Sequence, residues 1–360
     1  MSISNDGIDN IEGPSPGEPG WPSVSVIIPV LNEERHLEQA VRMVLDQDYP
    51  GSIEVVLALG PSRDRTDTVA KRLTAADSRV RTVPSPSGKT PNALNAAIGA
   101  ARHEIVARVD GHAEIPADYL RVAIAELLRA DADNVGGVMD AQGVTPFERA
   151  VACAMRSKLG VGNARFHVGG EPGEAETVYL GVFRLSALQR VGGYDEHFAR
   201  AQDWELNHRI RTTGGRVWFV PELKVTYRPR STVRALARQY FLYGRWRRVV
   251  AQHHEGTISA RYLAAPTMVL GTTFAAVVAF FFWPASVVPV GYLAAITVGG
   301  IAISSGEAVR TRLATPVVLA VMHWCWGIGF ITSPRALYRG SAPAGASPMT
   351  GPAETRAREQ

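Results

Sequence analysis

From Trp21 onward, short β-branched runs alternate with stretches whose apolar residues recur at helical spacing. Val24–Val30 reads as a buried strand. Residues 32–46 then place Leu37, Val41, Val44 and Leu45 on one helix face. Ile53–Leu59 reads as a second strand, Thr66–Ala75 as a helix and Val80–Val83 as a short third strand. An alanine-rich helix over Asn92–Ala101 leads into a strand over Glu104–Val109. Strands alternating with helices of about 10–15 residues predict βαβ units and a mainly parallel α/β sheet. Ligands of such sheets bind beyond the carboxyl ends of the strands. Pro29–Glu33, Leu59–Asp64 and Asp110–His112 occupy those ends. No fixed-period repeat is present, so a solenoid or propeller is not expected.

The second part of the chain has a different pattern. Tyr262–Gly306 holds 45 consecutive residues without a charge, and Leu313–Pro334 is a second uncharged run. A membrane-crossing helix needs about 20 apolar residues. Three spans are therefore predicted, about 263–283, 285–305 and 313–333, divided at Trp283-Pro284 and at the Gly306–Arg312 loop. The mean hydropathy of −0.02 averages these runs with polar ones, so a wholly soluble chain is excluded. Just before the first run, eight arginines (228, 230, 234, 238, 245, 247, 248 and 261) face only Glu255. Leu236, Tyr240, Phe241, Tyr243 and Trp246 are interleaved with them. A basic amphipathic stretch at that place fits a membrane surface. Nucleic acid is not an expected partner, because the basic residues cluster at the membrane boundary.

The positive-inside rule puts the arginine-rich approach and the Glu307–Arg312 loop on the cytoplasmic side. Three crossings leave the tail outside, whereas Arg335 and Arg339 favour inside. A re-entrant third segment or a short tail that crosses would each reconcile the two. The expected organisation is a disordered acidic tail (1–21), a catalytic domain (22–230), a basic interfacial segment (231–262), a transmembrane region (263–334) and a disordered tail (335–360). The acidic tail carries Asp6, Asp9, Glu12 and Glu18, and lacks the charged and apolar regions of a signal peptide. Two cysteines, Cys153 and Cys325, cannot staple a secreted module and read as buried thiols.

Three segments carry candidate chemistry. Asp110-Gly-His112 puts a carboxylate at a strand end with a second ligand two positions on, which suits a divalent cation holding a diphosphate. A strand-capping aspartate is the alternative. Gln202-Asp203-Trp204-Glu205 follows the Gly192–Asp195 turn and opens a helix over Asp203–Thr212. Asp203 is either an N-cap or a general base for an acceptor hydroxyl. Glu205 would complement the helix dipole. Gln239–Trp246 joins amide, cationic and aromatic groups suited to a sugar and a diphosphate, and suited equally to an interfacial helix. Gly88-Lys89-Thr90 lacks the first glycine of a phosphate loop, which excludes a nucleoside-triphosphatase. Gly169–Glu174 reads as a mobile acceptor-side loop or as an ordinary surface loop.

In this order, the pieces resemble glycosyltransferase family 2. Val24-Ser-Val-Ile-Ile-Pro-Val-Leu-Asn-Glu33 is similar to the family's first strand and nucleotide turn. Ser87-Gly-Lys-Thr-Pro-Asn-Ala-Leu-Asn95 is similar to its lysine-plus-ALN segment, and Asp110-Gly-His112 takes the place of its DxD motif. Gly192-Gly-Tyr-Asp195 followed by Gln202-Asp203 is similar to the segment with its catalytic acid. Arg108-Val-Asp-Gly-His-Ala113, Gln202-Asp-Trp-Glu-Leu-Asn-His-Arg209 and Gln239–Trp246 most resemble the membrane-attached succinoglycan-biosynthesis subgroup. Gln239–Trp246 is a distant likeness of the QxxRW motif of processive synthases, with residues inserted. Leu59 stands where the family has a base-contacting aspartate, although Ser62 and Asp64 of that V-D-x-x-S-x-D pattern are kept. The resemblance therefore does not specify a nucleobase.

The resemblance, which covers about residues 22–250, implies a GT-A-like nucleotide-binding sheet with helices on both faces. It implies an inverting glycosyltransferase, anchored as an integral protein of the cell membrane with its catalytic domain cytoplasmic. A nucleotide-diphospho-sugar would meet Pro29, Asn32, Glu33, Lys89, Asn95, Arg108 and Asp110. Asp110 and His112 would hold Mg²⁺ or Mn²⁺, and Asp203 would be the base. Gln202, Gln239, Arg245 and Trp246 fall to the acceptor or diphosphate, the acceptor being a lipid-linked or growing glycan. Two rival classes are a sugar-nucleotidyltransferase and a non-catalytic membrane adaptor. The first lacks its glycine-rich N-terminal signature; the second is favoured by Leu59 and opposed by Asp110, His112 and Asp203.

Overall fold

The computed structural model describes residues 20–338; both terminal tails expected to be disordered lie largely outside the described residues. The chain begins with β1 (Val24–Val30), α1 (Leu37–Leu45), β2 (Ile53–Leu59), α2 (Thr66–Ala76), β3 (Val80–Pro84), α3 (Thr90–Ala100) and β4 (Ile105–Arg108). It continues through α4 (Tyr119–Arg129), β5 (Asn134–Ala141), α5 (Pro146–Met155), α6 (Lys158–Val161) and α7 (Arg165–Val168). Then come β6 (Gly173–Glu174), β7 (Tyr179–Arg184), α8 (Leu185–Val191), α9 (Gln202–Thr212) and β8 (Val217–Tyr227). The remainder is helical: α10 (Val233–His253), α11 (Ala260–Ala279), α12 (Val287–Ile303) and α13 (Val309–Ile331).

The strands form one eight-stranded sheet of order β3-β2-β1-β4-β7-β5-β8-β6. Its first four strands are parallel, as the βαβ pattern predicts. The expectation of a mainly parallel sheet fails beyond β4, because β7 pairs antiparallel with both β4 and β5 and β6 pairs antiparallel with β8. Alternation along each strand fills both faces. Val26, Ile28, Val55, Leu57 and Ala107 pack with α1, α2 and α4 residues such as Leu37, Val41, Leu73 and Leu120. Ile27, Val56 and Val106 pack on the other face with Leu94, Ile98, Leu206 and Ile210 of α3 and α9. This is a GT-A-like mixed sheet with helices on both faces.

By Cα proximity, one compact unit holds residues 20–138 and Glu171–Val225, and the other holds Met139–Gly170 and residues 226–338. The second unit thus takes in an internal segment that composition groups with the catalytic part. In it, Thr145 and Glu148 form a capping box that starts α5. Its core joins Val151 and Met155 of α5 to Leu236, Tyr240, Ile296, Val318, Leu319 and Met322. Three helices are long and apolar enough to cross a membrane: Ala260–Ala279, Trp283–Ile303 and Val309–Ile331. They lie within a few residues of the predicted spans. Cys153 is buried, and Cys325 is half-buried.

Candidate active site

The helix predicted from residue 32 begins only at Leu37, because residues 32–34 are drawn into a turn. Asn32 has φ 56°, the left-handed region that asparagine tolerates better than most residues. Its N–H donates to Ser62 Oγ at 3.0 Å, and its Oδ1 accepts from Arg63 N at 2.8 Å. Glu33 N donates to Thr66 Oγ1 at 2.8 Å, and Glu34 N to Asp64 Oδ2 at 3.2 Å. Hydrogen bonds, led by the one from the Thr66 side chain, hold the Asp64 carboxyl below the usual carboxylate range. Ser62 and Asp64 therefore shape the turn after β1. Both positions stand out in the sequence, but this role has no sequence signal.

Across from that turn, Glu33 Oε1 lies 2.9 Å from His112 Nδ1 and Glu33 Oε2 lies 3.5 Å from His36 Nδ1. A Cβ at Gly111 would meet Glu33 Cγ at 3.2 Å, so a larger residue there would press on the glutamate. Asp110 follows β4 by two residues. Its Oδ1 accepts from Arg108 Nε at 3.0 Å, and the Arg108 Nη1 group donates to Asp203 Oδ1. One guanidinium therefore joins the strand-end aspartate to the aspartate at the start of α9. Arg108 is 4% exposed and lies among the buried rings of Tyr119 and Tyr194, its Cζ 6.0 Å from the Tyr194 centroid.

The electrostatics follow from that burial. Desolvation alone would lower the Arg108 pKa, but the Asp110 and Asp203 charges hold it well above the usual arginine value. Burial pushes the Asp203 carboxyl above its usual range; Arg108 pulls it down, and Asp110 adds to the rise. Two carboxyl groups thus share one guanidinium beyond the carboxyl end of β4.

Asp203 does not cap its helix. The N-cap is Ala201, in a left-handed conformation at φ 61°, and Asp203 points to Arg108. Glu205 is 1% exposed and is held by a two-point bond from Arg209 at 2.6 and 2.7 Å, so it pairs within the helix. Asn134 donates to Asn207 at 2.7 Å, and Asn207 to Thr177 at 2.9 Å, which fixes α9 on the sheet through buried amides. Gln202 is the first residue of α9. Asn95 accepts from Tyr194 N and donates to Tyr194 O, both at 2.8 Å, and also donates to Glu196. Its amide clamps the loop before α9. Lys89 stands at the N-cap of α3, Pro29 near the end of β1.

A divalent cation is implied by the fold, and the residues fit one held chiefly by a diphosphate. No group of three or more His, Cys, Asp or Glu residues gathers around a point among the described residues. Asp110 Oδ2 accepts no hydrogen bond among the described residues, while Oδ1 is fixed by Arg108. One or two protein ligands with phosphate oxygens and water is the usual arrangement for Mg²⁺ at such sites.

The remaining candidates belong to the second unit. Gln239 is 7% exposed and donates to Tyr227 Oη at 2.9 Å and Tyr243 Oη at 2.7 Å. Trp246 is 4% exposed. Both are interior residues of that unit. Arg245 places its Cζ 4.6 Å from the Phe241 ring centroid. Gly173 and Glu174, in the expected loop 169–174, form the edge strand β6 against Phe219 and Trp218.

A mixed sheet of this order, with a strand-end aspartate bridged by arginine to a second one, fits the GT-A-like glycosyltransferases. A family model described as Glycosyl transferase family 2 matches residues 25–189. The chain is 33% identical over 308 residues to the succinoglycan biosynthesis protein ExoA of Rhizobium meliloti (strain 1021), covering 85% of this chain and 93% of that protein. It is 24% identical over 230 residues to a dolichyl N-acetyl-alpha-D-glucosaminyl phosphate 3-beta-D-2,3-diacetamido-2,3-dideoxy-beta-D-glucuronosyltransferase of Methanococcus voltae, covering 61% and 71%. The solved mannosyltransferase PcManGT from Pyrobaculum calidifontis, in complex with GDP-Man and Mn2+, aligns with a TM-score of 0.55 at 20% identity over 84% of this chain and 86% of that one. That last likeness is one of fold. The chain belongs to glycosyl transferase family 2, and its relatives serve polysaccharide and glycan biosynthesis.

Proposed function

We propose that the chain is an inverting, metal-dependent glycosyltransferase of the cell membrane, working on the cytoplasmic face. It transfers a sugar from a nucleotide-diphospho-sugar to a lipid-linked or growing glycan. The observation that carries this reading is the Arg108 fork, which joins a strand-end carboxylate to a second carboxylate at the start of α9. The first suits a metal-bound diphosphate, and the second suits an acceptor hydroxyl.

The donor lies over the turn Asn32–Glu33, with Lys89 facing its phosphates. Asp110 and His112 would hold Mg²⁺ or Mn²⁺, which when bound offsets charge on a leaving diphosphate. Asp203 is 35% exposed, and its Oδ2 accepts no hydrogen bond among the described residues. That oxygen takes the proton of the acceptor hydroxyl while the hydroxyl oxygen bonds to the anomeric carbon. The bond from that carbon to the diphosphate breaks with its electron pair on the phosphate oxygen, and the configuration inverts. Arg108 keeps Asp203 aimed throughout. The apolar helices and the arginines of α10 support an acceptor met at lipid, with the arginines on the cytoplasmic side.

Titration calorimetry with nucleoside diphosphates and Mn²⁺ tests the metal site. Asp110→Ala is expected to weaken metal-dependent nucleotide binding by at least the about 10–100-fold that loss of a metal's supporting residue costs. Unchanged affinity would remove Asp110 from the site.

A further inference from the structure

We propose that α11, α12 and α13 form a monotopic anchor set in one leaflet, so that the chain enters and leaves the bilayer on a single face. The inference rests on reading these helices as membrane-embedded, and replaces three crossings with none. By composition α13 is able to cross, yet α5, α6 and α10, none of them a candidate span, hold it near its start, middle and end. At its start, Glu307 pairs with Arg149 of α5 at 3.7 Å. At its middle, His323 Nε2 donates to Leu159 O of α6 at 2.8 Å, next to Lys158. At its end, Arg248 of α10 donates to the carbonyls of Phe330 and Ile331 at 3.2 and 3.1 Å.

α10 and α13 also touch backbone to backbone. A Cβ at Gly244 would lie 2.0 Å from Trp326 O, and one at Gly329 would lie 2.1 Å from Phe241 O. Helices in such contact share one depth. Over Val233–His253, α10 carries Arg234, Arg238, Arg245, Arg247 and Arg248. Arginine at the bilayer centre is strongly unfavourable, so α10 stays at the interface and holds α13 there. α12 follows, because it runs antiparallel beside α13: Tyr292 Oη lies 3.3 Å from His323 Nδ1, and Gly300 abuts Pro316.

The exposed surfaces complete the layer. In the most apolar stretch of α13, 39% of residues are buried in the protein, against 11% in α12. α13 is thus the central helix of this unit, packed by α5, α6, α10, α11 and α12, and α12 also reaches Leu159 of α6 at Gly299. Val309, Leu313 and Val317 of α13 are 67%, 64% and 54% exposed at four-residue spacing, one lipid-facing stripe. Phe274, Phe280 and Phe281 are 72%, 88% and 90% exposed on and after α11. Exposed apolar residues on a bundle that also holds an arginine-rich helix fit an in-plane anchor; three crossings would carry α10 and its arginines into the bilayer core. Arg335 then lies on the face of α10, and its positive charge no longer conflicts with the crossings.

The test uses the full chain in inside-out and right-side-out vesicles, with native cysteines replaced by alanine and retained transferase activity as the check of folding. Single cysteines Val144→Cys, Trp283→Cys and Ala336→Cys are exposed to a membrane-impermeant maleimide. Positions 144 and 336 are expected to label from the same face, and position 283 from neither until detergent is added. Labelling of 283 or 336 from the face opposite to 144 overturns the single-leaflet arrangement while leaving membrane attachment intact. Release of the protein by an alkaline carbonate wash would instead overturn the membrane reading itself.

Discussion

Replacing Asp203 with asparagine lowers kcat by about 10²–10⁴-fold, the usual contribution of a positioned base, and leaves donor affinity nearly unchanged. Asparagine keeps the size of the side chain and still accepts the Arg108 hydrogen bond, but it cannot take a proton at neutral pH. The pH dependence has a definite sign. Asp203 acts only when ionised, and burial raises its pKa. Activity of the native chain is therefore lost as pH falls through a value above the usual carboxylate range, and the asparagine variant loses that limb. Stopped-time assays at saturating donor across pH 5–8 check both points. Turnover by Asp203→Asn at the native rate would remove this residue as the base.

Arg108→Met has the next largest effect, on stability as well as on rate. The guanidinium is 5% exposed, and its removal leaves two carboxylates facing each other. Breaking a buried pair costs about 3–5 kcal/mol; the lower value applies, because Asp110 and Asp203 keep 22% and 35% of their exposure. Without the guanidinium, the Asp203 pKa rises further, so the acidic limb of kcat/KM moves to higher pH. Arg108→Lys restores the charge but not the fork, since an ammonium cannot serve both carboxylates in that geometry. It is expected to recover most of the stability and little of the rate. Denaturant unfolding and pH–rate profiles of both variants decide. An Arg108→Met protein with native stability and an unmoved limb would contradict the positioning role.

The parallel half of the sheet was readable because β1, β2 and β4 are continuous apolar runs between turn residues. The three long apolar helices were readable because Tyr262–Gly306 and Leu313–Pro334 carry no charge. The antiparallel half was not, since 139–170 interrupts the strand pattern and packs into a core that it shares with α10 and α13. Asp110 and Asp203 were each open to a bland reading as caps. What distinguishes them is Arg108, which is 95 residues from Asp203 in sequence and carries no local signal of that contact. The resemblance assigns Asn95 to the donor, whereas its amide is taken up by the backbone of Tyr194. The polar and aromatic residues of Gln239–Trp246 suggested a binding surface. Because α10 is packed by neighbours beyond its apolar stripe, Gln239 and Trp246 lie inside.

The measurement that bears most directly on the central claim is the fate of the donor. The full chain in lipid, with Mn²⁺ and a lipid-linked glycan, is to be supplied with UDP-, GDP- and TDP-sugars, and the products followed by NMR. The account predicts release of one nucleoside diphosphate per sugar transferred, with the anomeric configuration of the new bond opposite to that in the donor. Release of pyrophosphate, or retention of the donor's configuration, would contradict it.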